Sequence, residues 1–135
     1  MVISLPVIKS DWGKETRFWS ENDIELANII KDNTAKDDLI YLQDLHSTLY
    51  VLADRLPSKP WTDNFGWFLE VPGVQAQTIE GWDKNKPKYV FVKDILLGNW
   101  YDLGTYRPKK ITDWINKNYF RKEEIKTGVW LWKEK

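Results

Sequence analysis

The chain contains no cysteine. That single absence removes disulfide frameworks, thiolate metal sites, cysteine nucleophiles and Cys-x-x-Cys redox chemistry. It leaves the compartment open, because a thiol-free chain suits an oxidising exterior and a reducing cytoplasm equally. Histidine is nearly absent too: His46 stands alone. No carboxylate lies three or four residues from it to share a helical face as a metal ligand, and no Gly-x-Ser-x-Gly elbow accompanies it, so His46 reads as a surface or capping residue. Charge of one sign is missing, with 20 Lys and Arg against 20 Asp and Glu. A nucleic-acid binder needs a basic surface to displace counterions, and this balance argues against one. Lys109 to Lys135 is richer in base, but Asp113, Glu123, Glu124 and Glu134 interrupt it, which predicts a mixed solvated surface. Glycine is sparse, and neither a Gly-x-Gly-x-x-Gly nor a Walker loop is present. The turn Gln43-Asp44-Leu45-His46-Ser47 lacks the glycines that let backbone approach a phosphate. No metal, cofactor or catalytic residue is therefore expected. No apolar run approaches the roughly 20 residues of a membrane span, and the apolar start from Met1 to Ile8 is too short for a signal peptide's core.

What the chain has in excess is tryptophan, nine of them. The indole joins a large apolar body to one N–H donor, which suits cores, sugar-binding surfaces, protein interfaces and membrane headgroup belts. The length is that of one domain with a real core. Ser20 followed by Asp23 predicts a capping box opening a helix to Asn33, with Ile24, Leu26, Ala27, Ile29 and Ile30 apolar. Leu39 to Leu42 is apolar at consecutive positions, the mark of a strand buried on both faces and so parallel. Asp44 to Leu56 reads as a helix or an irregular helix-to-strand segment, stopped by Pro57 and Pro60. Trp61 to Gly73 reads as an aromatic loop, and Val74 to Asn85 as a helix with Val74, Ile79 and Trp82 inward. Lys88 to Lys93 is the clearest strand, β-branched and aromatic behind Pro87. Asp94 to Pro108 reads as a loop. Lys109 to Asn118 carries Ile111, Trp114 and Ile115 at helical spacing, and Phe120 to Ile125 with Val129 to Lys133 reads as a hairpin around Lys126, Thr127 and Gly128. Strands alternate with helices, so the expected fold is α/β: a single layered domain over 20–135, preceded by a connector over 1–19, with a small mixed sheet of about four strands and about three to four helices.

The carboxylate pairs Asp37/Asp38 and Glu123/Glu124 are adjacent in sequence, so their side chains diverge on strand or helix and neither makes an acid–base couple. Asp63 and Glu70 form a better pair for glycoside hydrolysis, provided their carboxyls lie about 5–10 Å apart. Trp61, Asp63, Asn64, Phe65 and Trp67 are the candidate binding or interface residues. The aromatics read first as core, then as an interface against the rest of a larger protein or a membrane surface, and, beside an acid and an amide, as a sugar-stacking surface.

Three segments resemble a known family: Glu25 to Asn33, Asp38 to Leu42, and Leu49-Tyr50-Val51-Leu52-Ala53-Asp54-Arg55-Leu56-Pro57. They resemble the domain that follows the last membrane helix in bacterial GT-C-type glycosyltransferases, similar to dolichyl-phosphate-mannose protein mannosyltransferases and aminoarabinose transferases. Lys86-Pro87-Lys88-Tyr89-Val90-Phe91-Val92, the helix ending at Asn118-Tyr119 and the closing hairpin extend the resemblance over Ile24 to Lys133. The motif positions are mostly hydrophobic pattern plus Arg55, Pro57 and Pro87. The resemblance implies a non-catalytic domain on the extracytoplasmic side of the cell membrane. It would cover or shape the acceptor side of a polyprenyl-phosphate-sugar-dependent active site that lies elsewhere in the parent protein. Implied partners are the membrane-embedded portion of that protein and a glycan or lipid-linked sugar, with no nucleic acid. The competing expectation is a free-standing carbohydrate- or protein-binding module that uses the aromatic loop.

Overall fold

The computed structural model describes residues 20–60, 66–94 and 107–135, apart from the side chain of Trp67. The first helix, α1 (Glu21–Asp32), begins where its capping chemistry requires. The Ser20 hydroxyl accepts the Asp23 N–H at 3.1 Å, and the Asp23 carboxylate accepts the Ser20 N–H at 3.4 Å. Leu26, Ala27 and Ile30 form its buried stripe.

Strand β1 (Leu39–Gln43) follows, then α2 (Thr48–Leu52), β2 (Leu56–Pro57), α3 (Gly66–Leu69), α4 (Val74–Lys84), β3 (Tyr89–Lys93), α5 (Lys109–Asn118), β4 (Tyr119–Lys126) and β5 (Val129–Glu134). The fold is α/β, with the strands in the order β2-β1-β3-β5-β4. β1 is parallel to both β2 and β3, as its unbroken apolar run predicts. β5 runs antiparallel to β3 and to β4.

The sheet has five strands rather than four. The additional one, β2, pairs only Leu39 with Leu56 and Ile40 with Pro57, too short a run to show as periodicity. Because β2 stops there, the Leu42 N–H on that side of β1 has no strand to meet. It donates instead to the Tyr50 hydroxyl at 3.0 Å, which satisfies a buried donor that would otherwise cost about 1–3 kcal/mol. Asp44 and Asp54 take left-handed backbone, φ 60° and 51°. These two turns confine helix to Thr48–Leu52 within the segment from Asp44 to Leu56. A short helix, α3, occupies part of the segment read as an aromatic loop. In α4 the inward positions are Val74, Thr78 and Trp82, one helical stripe four residues apart. Ile79 is only half-buried. Thr78 can be buried because its hydroxyl donates to the Val74 carbonyl at 2.8 Å.

Side-chain alternation splits the core. Ile40, Leu42, Phe91, Val129 and Leu131 pack with α1 and α2. Tyr41, Val90 and Val92 pack with α3, α4 and α5. The second face carries an aromatic chain, Tyr41 to Trp82 to Trp114 to Tyr119, with ring centroids 4.6, 5.0 and 5.7 Å apart. The Tyr119 hydroxyl donates to the Pro87 carbonyl and so anchors the start of β4 beside the entrance to β3.

Arg55 is buried, and all five of its N–H donors are used. Nε donates to the Thr34 hydroxyl at 2.7 Å, and the terminal nitrogens donate to the carbonyls of Lys31, Thr34, Ala53 and Asp54 at 2.7–3.1 Å. A cation at the carbonyl end of α1 also opposes the helix dipole. Lysine offers three donors from one point and cannot reproduce this fork. Arg55→Lys is therefore expected to destabilise the fold by about 2–4 kcal/mol in urea unfolding. Gly81 offers an independent check on packing. A Cβ there would stand 2.7 Å from the Lys59 carbonyl oxygen and 2.6 Å from the Pro60 ring. Gly81→Ala is expected to lower the unfolding midpoint, at a cost of about 1–3 kcal/mol, despite alanine's better helix propensity.

Candidate functional site

Trp61, Asp63, Asn64 and Phe65 lie outside the described residues, as does the Trp67 side chain, whose backbone belongs to α3. The loop reading for 95–106 and the connector reading for 1–19 fall outside them as well. Glu70 is exposed at the end of α3, and its partner in the glycosidase reading, Asp63, is not described. His46 is exposed. Among the described residues, no group of three His, Cys, Asp or Glu side chains could hold a metal. The adjacent acids have separate duties. Asp38 accepts from Lys88 Nζ at 2.7 Å and from the Ala35 N–H at 2.8 Å. Glu123 pairs with Lys122, and Glu124 accepts the Gly128 N–H at 2.7 Å. Burial alone would raise the Asp38 carboxyl. The Lys88 and Ala35 hydrogen bonds, with the charges of Lys88 and Arg55, outweigh it and bring the pKa below its ordinary value.

The structure assembles polar chemistry at the carboxyl ends of β1 and β3, where an open α/β sheet reverses its winding and where such folds place ligands. Gln43 is 2% exposed, and its amide donates to the Thr112 hydroxyl of α5 at 3.1 Å. Asp44, 4% exposed, accepts from Arg107 Nε at 3.2 Å. Arg107 also donates to the Lys93 carbonyl at 2.5 Å. On the β5 side, Asp94 accepts from the Trp130 indole at 2.9 Å and from Arg121 at 3.2 Å, and the guanidinium lies 3.3 Å from the Trp130 ring centroid. Burial pushes the Asp44 carboxyl up to about 6, against the lowering effects of Arg107, Lys93 and Gln43. Chemically this is a proton-binding carboxyl held in a hydrogen-bond network with Arg107 and Gln43. Sequence reasoning set the Gln43-Asp44 turn aside for want of glycine. The signal it carried was an acid directly after a buried parallel strand. Its partner Arg107 is 63 residues away, beyond any local pattern.

A second feature is apolar. Val51 of α2 is 81% exposed and Leu56 of β2 is 66% exposed. They border a shallow depression of about 370 Å³ that Ser47, Tyr50, Asp54, Arg55 and Pro57 complete. Among the described residues, no helix is long and apolar enough to cross a membrane. No family model matches the sequence, and comparison with curated proteins and with solved structures likewise returns no match.

Asp44 generates a pH signature. Its ordinary pKa is 3.8 and its folded value about 6. Between those values the native state holds more protons than the unfolded chain, so stability falls as pH rises through that window. Asp44→Asn has no such proton to lose. The stability difference between variant and wild type is expected to move in the variant's favour by on the order of 3 kcal/mol from about pH 3.5 to about pH 7.5. Urea titrations at several pH values read this slope, and a pH-independent difference would contradict it.

Proposed function

We propose that this chain is a non-catalytic accessory domain of a polyprenyl-phosphate-sugar-dependent membrane glycosyltransferase, placed on the extracytoplasmic side. It acts by contact at the corner formed by α2 and β2. The observation that carries the reading is the split character of Leu49 to Pro57, one of the segments that carry the family resemblance. Leu49, Tyr50, Ala53 and Arg55 are buried and belong to the fold, whereas Val51 and Leu56 turn to the surface. An edge strand with an exposed leucine beside an exposed valine is apolar area that the domain's own core does not use, and such area marks interaction surfaces. The roles of the described acids in capping, ion pairing and hydrogen-bond networks are consistent with positional rather than chemical work.

The reading requires the gene's reading frame to run upstream of Met1 into several apolar spans, and a frame that starts at Met1 overturns it. Within such a parent protein, a photo-crosslinker in place of Val51 or Leu56 is expected to label the membrane-embedded portion. One in place of Glu80 on α4, exposed and paired to Lys84, is expected not to. Equal labelling from all three positions would remove the assignment of the corner.

A further inference from the structure

Three buried polar side chains lie together where α4 abuts the end of β2. The β1–β2 register pairs Ile40 with Pro57. One step further sets Ser58 beside Tyr41, and the Ser58 N–H donates to the Ile40 carbonyl at 3.3 Å, as that step requires. Opposed residues of paired strands share a face of the sheet, so Ser58 lies on the face where Tyr41 packs with α3, α4 and α5. The Trp82 ring of α4 meets the Tyr41 ring edge-on, with centroids 4.6 Å apart. One residue back, Gly81 sits so close to the chain after Ser58 that a Cβ would stand 2.7 Å from the Lys59 carbonyl oxygen.

Tyr41, Ser58 and Trp82 are each at most 4% exposed. The Tyr41 hydroxyl, the Ser58 hydroxyl and the Trp82 indole nitrogen have no hydrogen-bond partner among the described residues. Leaving one such group unpaired is costly, and buried polar atoms in folded proteins overwhelmingly have partners. Three in one seam call for a common one. An indole N–H only donates, so the partner must accept, which excludes a cation. Hydroxyls both donate and accept, so a molecule with protons of its own serves them better than an anion. Burial holds the Tyr41 pKa well above its ordinary value, so this hydroxyl keeps its proton. The Gly81 contact keeps α4 too near the end of β2 for a large molecule to enter.

We propose that the seam between α4 and the β1–β2 edge binds internal water, held by Ser58 Oγ, Tyr41 Oη and Trp82 Nε1. A buried water typically makes about three hydrogen bonds to groups that would otherwise go unsatisfied. It fastens α4 to the sheet edge through polar contacts that the surrounding aromatic packing does not supply. The proposal does not rest on the α2–β2 corner or on any membrane enzyme.

The test uses the whole chain with 15N-labelled tryptophan. In the wild type, Trp82 Hε1 is expected to give cross-peaks with water in nuclear and rotating-frame Overhauser spectra, of the opposite signs that mark a bound molecule. In the double variant Y41F/S58A those cross-peaks are expected to vanish. 17O relaxation dispersion, which is blind to exchange of hydroxyl protons, is expected to show about one long-lived water fewer in that variant. Y41F and S58A alone are each expected to lower the urea unfolding midpoint, because each strips a partner from the water. Were the groups simply unpaired, removing a buried hydroxyl would relieve a cost and leave the midpoint unchanged or raised. Absence of a water cross-peak at wild-type Trp82 Hε1, unchanged 17O dispersion in Y41F/S58A, or a midpoint that neither single variant lowers would overturn the proposal. If the double variant does not fold, the wild-type spectrum and the single variants decide.

Discussion

The fold turns on the Arg55 guanidinium. One planar group closes the carbonyl end of α1, through Lys31 and Thr34, and the turn that follows α2, through Ala53 and Asp54. Thr34 extends the lock, since its hydroxyl accepts from Arg55 while donating to the Ile30 carbonyl at 2.7 Å. Helix ends leave carbonyls unsatisfied, and burying them without donors is costly. Arg55 removes that cost at two ends at once and so fixes α1 against the edge of the sheet. Exposed pairs such as Lys84–Glu80 and Lys109–Asp113 do not compare, since solvent and side-chain entropy hold such contacts to about 0–1 kcal/mol.

That lock shapes what the sheet can present. β2 is placed just after Arg55 and stays two residues long, so Tyr50 must satisfy Leu42 from the side. Val51 and Leu56 are left facing outward around the same corner. At the opposite edge of the sheet the charged residues of β4 cover the last strand, and Lys and Glu there discourage edge-to-edge pairing. Among the described residues, the buried ionic ones, Asp44 and Arg55, spend their charge inside hydrogen-bond networks. The Lys88 and Lys122 ammoniums stay at the surface, paired with Asp38 and Glu123.

Local signals explain what could be read before the structure. The capping box of Ser20 and Asp23, the double-faced run of β1, the β-branched run of β3, the helical spacing of Ile111, Trp114 and Ile115 and the Gly128 turn, with φ 74°, each depend on residues a few positions apart. β2 was hidden because its identity is only its pairing with Leu39 and Ile40. The Asp44–Arg107 contact was hidden for a related reason: it joins residues 63 positions apart that no periodicity links. Lys109 to Lys135 looked like a mixed solvated surface by composition. In three dimensions many of its charges are paired: Lys109 with Asp113, Arg121 with Asp94, Lys122 with Glu123, and Glu134 with Lys86. The aromatic-loop residues from Trp61 to Phe65 and the Trp67 side chain lie beyond this comparison.

The residues that carry the family resemblance have a physical meaning of their own. Arg55 joins two helix ends, Pro57 terminates the short edge strand, and Pro87 gives its carbonyl to Tyr119. None of the three is an exposed group offered to a ligand. A pattern built from such residues identifies a way of folding, and any protein needing the same α1–β1–α2–β2 corner would meet the same constraints. Function therefore has to be argued from positions where the fold leaves chemistry unused, such as the apolar area at Val51 and Leu56.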